Sequence, residues 1–247
     1  MEWRCDKAKG VVTTKLRKLV LTTAVATAGM VTLHPAVAVD HVPAASSLSY
    51  TIERKHREIG RHIVSYTITP NGQRDVEIAT RIRVKFAFMT VFRMDHAGHE
   101  LWDRDRLVRM LTETKKNSQK EEVDLRAVGD HVIVATDKGT ETAPLDVVPS
   151  SFTKPDFWID SGEKHFLLLD TLSGRLRPSK LVYEGRKTLE LDGQAYDTRC
   201  YRIFATTDGR LSHEFWIDDA GYLIKAHLIT RDGESLYYTF AGSERAA

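Results

Sequence analysis

Cysteine is almost absent: 2 residues in 247, Cys5 and Cys200. Residue 5 lies in a leader-like segment, so the mature chain keeps Cys200 alone, and an internal disulfide is excluded as a staple. Cys200 falls in a strand-like run at residues 195–205 and reads as a small buried hydrophobe. Long apolar runs are scarce too. The stretch at residues 19–33 is about 15 residues, short of the roughly 20 that a membrane-crossing helix needs, so no transmembrane anchor is expected. Charge of one sign is also missing, with 36 Lys/Arg against 34 Asp/Glu. Neither a Gly-x-Ser-x-Gly elbow nor a Gly-rich phosphate loop occurs.

What is present at the N-terminus resembles an export signal. Lys15, Arg17 and Lys18 precede the apolar, Ala/Thr-rich stretch, and Ala36-Val37-Ala38 offers small residues for cleavage. Residues 1–38 are therefore expected to be a signal peptide, cleaved near Ala38, with residues 39–47 as a tether. That segment holds six bases and two acids, which leaves 30 bases and 32 acids, a formal charge of −2. Without a basic block, nucleic acid is excluded as the expected partner. The expected location is periplasmic or secreted.

The mature region reads as one all-β domain over residues 48–242. Asp192-Gly193, Asp208-Gly209, Asp219-Ala220-Gly221 and Asp232-Gly233 recur every dozen or so residues between β-branched and aromatic runs. Such residues tolerate positive φ, as tight turns between antiparallel strands require. Upstream, Pro70-Asn71-Gly72 marks another hairpin, and Gly60 marks a bulge or a close crossing. Residues 78–94 alternate over an unusual length, with Phe86, Phe88 and Phe92 on one parity, either as two strands meeting without a loop or as one bent strand. A turn is expected at residues 95–98. Between residues 137 and 161 the alternation fails and Pro144, Pro149 and Pro155 accumulate, which predicts an irregular crossover. Residues 162–173 fit either a short helix or a buried strand. Glu100-Leu101-Trp102-Asp103 is echoed by Glu214-Phe215-Trp216-Ile217-Asp218, as an internal duplication or by chance.

Ile59-Gly60-Arg61-His62, the run from Arg93-Met94-Asp95-His96 to Glu100-x-Trp102, and Phe215-Trp216-Ile217-Asp218-x-x-Gly221-x-x-Ile224-Lys225 occur in this order across residues 48–240. Together they resemble a bacterial domain-of-unknown-function family, DUF6134. The closing Trp-x-Asp-x-x-Gly hairpin is similar to one in periplasmic lipoprotein-sorting carriers and their lipid-binding relatives. The resemblance implies a curved, unclosed β-barrel, a half-barrel, around an apolar cavity. Residues 151–158 look longer than the corresponding family stretch. The family offers no catalytic residue to carry over.

Candidate chemistry is sparse. His96-x-x-His99 would converge on a metal only on a helix, where residues three apart share a face; on a strand the two point apart, so no metal site is expected. His62 shares the apolar parity of Val64 and Tyr66, where an imidazole needs a polar partner, from the core or from a ligand. Paper triads such as Ser151/His165/Asp170 or Ser179/His213/Asp218 arise in any chain of this size. The aromatic content fits a filled core or a ligand-lined sheet. The expectation is a non-enzymatic, exported protein that binds an apolar or lipid-like small molecule on its concave face. His62, Phe86, Phe88, Trp158 and Trp216 are the lining candidates, with no cofactor. The alternatives are an envelope module that docks another protein, or a hydrolase with an unrecognised site.

Overall fold

The computed structural model describes residues 47–86, 89–230 and 232–244, with the backbone alone at Phe86. The expected signal peptide and residues 39–46 of the tether lie outside the described residues, as do Phe88 and the last three residues.

The described chain is a single 15-stranded sheet with no helix. Its N-terminal half is a meander: β1 (Ser47–Arg54), β2 (Arg57–Ile68), β3 (Arg74–Phe86), β4 (Met89–Asp103), β5 (Arg106–Lys116), β6 (Gln119–Val128), β7 (His131–Thr136) and β8 (Gly139–Pro144). The C-terminal half runs β9 (Val148–Pro149), β10 (Glu163–Leu169), β11 (Leu176–Leu191), β12 (Gln194–Ala205), β13 (Leu211–Asp218), β14 (Leu223–Ile229) and β15 (Ser235–Glu244). β15 pairs with β1 and fuses the halves, so β8 and β9 become the two sheet edges. All pairings are antiparallel except β9 with β10.

This connectivity forces curvature. Laid flat, 15 strands would hold their edges about 67 Å apart, at about 4.8 Å per spacing. Yet the edge strands are joined by residues 145–147, which reach at most about 14 Å. The sheet must therefore curl until β8 and β9 approach, which yields an unclosed barrel. A single cluster records the result: Leu48, Val64, Val76, Trp102, Val132, Val147 and Leu169 pack together from both halves.

The turn residues behave as their chemistry dictates. Asp192 (φ 50°), Gly193 (80°), Gly209 (68°), Gly221 (85°) and Gly233 (81°) all sit in the left-handed region at hairpin tips. Gly60 lies beside a bulge in the β1–β2 register, where Ile52 faces Gly60 and Glu53 faces Glu58. There β3 comes so close that a Cβ would overlap the carbonyl oxygen of Arg81.

Two open alternatives are decided and two expectations are revised. The long run at residues 78–94 is two strands, paired down to Phe86 opposite Met89. No turn interrupts residues 95–98: Asp95 binds Arg83 at 2.6 Å, and Gly98 is small because Ile78 and Thr112 crowd it from the flanking strands. The crossover is shorter than its composition suggests, because residues 139–144 form the edge strand β8. That strand is almost wholly exposed and carries no alternation to read, and only an edge accommodates Pro144. Residues 163–169 are strand β10 rather than a helix.

Gly60→Ala is expected to lower unfolding free energy by at least about 2 kcal/mol in urea denaturation, since backbone must move. Gly98→Ala meets only side-chain atoms, from 3.4 Å outward, and should cost about 1 kcal/mol or less. Equal costs would contradict the close β2–β3 approach.

Candidate functional site

The concave face encloses a cavity of about 980 Å³. Its wall comes from inward positions of the strands: Leu48, Tyr50, Val64, Ile78, Ile82 and Met94 from β1 to β4, then Phe215, Ile217, Ala226, Leu228 and Tyr238 from β13 to β15. Strand alternation sends every second residue to this face. The charged lining residues occur at one end only. Arg54, Lys116, Glu121, Lys138, Asp170, Arg175, Arg177, Asp208, Arg210, Asp232 and Glu234 belong to the hairpins β1–β2, β5–β6, β7–β8, β10–β11, β12–β13 and β14–β15, which antiparallel pairing gathers at the same rim. Several are paired there, with Arg54 to Glu234 at 2.8 Å and Arg177 to Asp170 at 3.7 Å. At the other end the interior is packed shut by Trp102, Leu107, Val132, Ala143 and Val147.

The crossover, residues 150–162, turns back inside the barrel and fills the C-terminal half. Phe152, Phe157 and Trp158 stack among Tyr201, Phe166 and Phe215, with ring centroids 4.7–6.3 Å apart. Its anchor is Glu100 on β4, whose residue is 0 % exposed. Ser151 Oγ donates to this carboxylate at 2.6 Å, Trp102 Nε1 at 3.0 Å, and Thr153 Oγ1 also donates. Arg74 completes the set by donating to the Thr153 carbonyl while lying 5.7 Å from the Trp102 ring. Burial pushes the Glu100 carboxyl above the ordinary range, and its three donors and Arg74 pull it back.

Half-way down the wall lies a polar row. Register places Tyr50, His62, Thr80, His96 and Thr114 side by side on five consecutive strands. His62 Nδ1 is 2.7 Å from Thr80 Oγ1, and His96 Nδ1 is 2.9 Å from Thr114 Oγ1. The rings of Tyr50 and Tyr238 flank His62 at 5.7 and 5.5 Å. Desolvation lowers His62 and His96 to about 4, and His213, stacked on Phe215, to about 3. All three are neutral at pH 7, so the cavity lining below the rim carries no charge.

Of the five lining candidates, His62 and Trp158 are at the cavity. Phe86 ends β3 beside the rim by its backbone, and Phe88 is outside the described residues. Trp216 is not brought there. Phe215 and Ile217 line the cavity, so the residue between them faces the other way, where Trp216 is fully buried with Leu189, Cys200 and Ile224. Trp102 packs inside the barrel, so the two Trp hairpins point to opposite faces and are not structural copies. His96 and His213 were the residues that sequence reasoning missed. His99 points outward to Asp75 at 2.8 Å, so His96 and His99 do not converge. The paper triads do not form, but one Ser–His–Glu chain does: Ser235 Oγ is 2.9 Å from His227 Nε2, and His227 Nδ1 is 2.9 Å from Glu214 Oε2. It sits on the face opposite the cavity, under Tyr237 stacked at 4.6 Å and with Arg202 on Glu214 at 3.0 Å.

Depressed histidines tie stability to pH. Below about 6.5 the unfolded chain takes up protons that the folded chain refuses, so stability present above that pH is lost as pH falls toward about 4. Full loss amounts to about 3 kcal/mol for each of His62 and His96. Glu100 acts in the opposite sense, because its raised value keeps its proton longest in the folded chain. A titration of the imidazole Cε1 signals by NMR should put His62 and His96 near 4 and His213 near 3. Midpoints near the ordinary 6.5 would show that these rings are hydrated.

Comparison with known proteins places the fold. No curated protein matches the chain. A β-barrel-like protein of DUF1849 from Brucella abortus superposes with a TM-score of 0.58 at 10 % identity, covering 80 % of this chain and 96 % of that one. A DUF1089 family protein from Pseudomonas aeruginosa aligns over 92 % of this chain and 100 % of its own at TM-score 0.40 and 12 % identity. The hypothetical lipoprotein YmcC from Escherichia coli gives 0.30 at 11 % identity, covering 81 % and 89 %. At such identities the Brucella likeness is one of fold. The model of DUF6134, described as a domain of unknown function, matches residues 50–241, and the chain belongs to that family.

Proposed function

We propose that this protein is an exported, non-enzymatic binder of an apolar or lipid-like small molecule, held in the cavity of the unclosed barrel. The observation that carries the reading is the cavity itself. A filled sheet core leaves few voids larger than a water molecule, whereas this wall encloses about 980 Å³ lined by aliphatic and aromatic side chains, at the upper end of ordinary small-molecule sites. Charged groups confined to one rim give an amphiphile a single way to enter. Neutral histidines keep the interior compatible with an uncharged guest. The signal-like N-terminus supports export, and an envelope location fits a carrier of poorly soluble molecules.

A second reading, hydrolysis, draws on the Ser235–His227–Glu214 chain, which has the connectivity of a nucleophile, base and orienting acid. Labelling of Ser235 by a fluorophosphonate probe would favour it.

An apolar dye such as phenylnaphthylamine tests the main reading. Ala226 is 2 % exposed and lines the cavity, so Ala226→Trp should obstruct it and weaken dye binding at least about tenfold, with the fold retained by circular dichroism. Trp216→Phe, on the other face, should leave dye affinity unchanged. A folded Ala226→Trp that binds dye normally would remove the cavity as the site. Export predicts a mature chain beginning at Val39, read by mass spectrometry of fractionated cells. An intact N-terminus in the cytoplasm would contradict it.

A further inference from the structure

We propose that the occupant carries an uncharged hydrogen-bonding group, an alcohol, ketone or ester, received in mid-cavity by His62 and His96. The inference rests on the binding reading above and names the chemistry of the guest.

The polar row lies half-way down the cavity wall. Along β1, β2 and β3 the inward neighbours toward the closed end are Leu48, Val64 and Ile78, which form one cross-strand row. Toward the rim, β1, β3 and β4 contribute Ile52, Ile82 and Met94, with Gly60 between Ile52 and Ile82. The polar groups thus lie between apolar rows rather than at the mouth. A molecule burying hydrocarbon on both sides meets them part-way along its length.

Both histidines also have hydrogen-bond capacity left over. Each imidazole spends Nδ1 on a threonine hydroxyl, Thr80 or Thr114. Among the described residues neither Nε2 has a protein partner, and neither is sealed from the cavity. A neutral imidazole keeps one donor and one acceptor, so whichever role Nδ1 takes, Nε2 holds the other. A hydroxyl satisfies either tautomer, and a carbonyl satisfies the Nε2–H form. An unmet polar atom in such surroundings is unfavourable, and a matching group on the guest relieves it.

An acid at that depth has no cationic partner among the described residues. The lining cations, Arg54, Lys116, Lys138, Arg175, Arg177 and Arg210, all belong to the rim. A carboxylate placed at the row would be desolvated without a counter-charge.

The test uses the full chain loaded with phenylnaphthylamine at pH 7 and displaced by decanol, decanoate or undecane. Decanol should displace the dye at about tenfold lower concentration than decanoate. In His62→Phe/His96→Phe, decanol should weaken about tenfold while undecane stays unchanged. Unaltered displacement by decanol in the folded variant, or decanoate displacing best, would overturn the inference and leave the cavity reading standing. Failure of the dye and of all three probes to bind would sink the cavity reading instead. Should the double variant not fold, the single variants His62→Phe and His96→Phe replace it, each with a smaller selective loss for decanol and the same overturning result.

Discussion

The carboxylate of Glu100 decides what the interior becomes. A buried charge is tolerated only when its lone pairs are met, and here Ser151, Thr153 and Trp102 meet them while Arg74 reaches across to Thr153. Two of these donors belong to the crossover, so the segment that links the sheet edges is fixed inside the barrel. It carries Phe152 into a left-handed conformation (φ 54°), a strain of order 1–3 kcal/mol offset by packing against Phe157 and Phe215. The aromatic plug packs against β10 to β13, and the cluster around Trp102, Leu107, Val123 and Val132 fills the space under β5 to β8. What remains between β1–β4 and β13–β15 is the cavity.

The curl that encloses it has a separate origin in chain order. Two meanders fused through β1 and β15 place β8 and β9 at opposite edges of the sheet, while three residues tie them together in sequence. Short connection and wide sheet are compatible only if the sheet curls until its two edges approach. The same geometry collects alternate hairpins at one rim, and the charged residues that line the cavity lie there.

Much of this architecture is legible in the residues. Asp-Gly turns announce positive φ, and Gly60 announces a tight crossing. The misreadings share a cause: one residue type serves two physical ends. Asp95 and Gly98 look like a turn, yet one is an outward ion-pair partner and the other makes room between Ile78 and Thr112. That false turn hid His96, which strand parity would otherwise have placed on the inward face of its strand, with Met94 and Glu100. Phe215 and Trp216 are equally good cavity aromatics by type, and only the register across β12 to β14 tells which one faces in. Edge strand β8 buries Ala143 alone and therefore left no periodic trace. The cavity was beyond reach, because packing density is a property of the assembled interior.

The central claim is that the barrel holds a guest, and native mass spectrometry of the full-length protein purified without detergent addresses it most directly. The account predicts a reproducible adduct of small-molecule mass that organic solvent releases, uncharged and largely hydrocarbon in character. A bare polypeptide mass, still bare after incubation with a lipid extract, would contradict it and turn attention to the sheet as a docking surface for another protein.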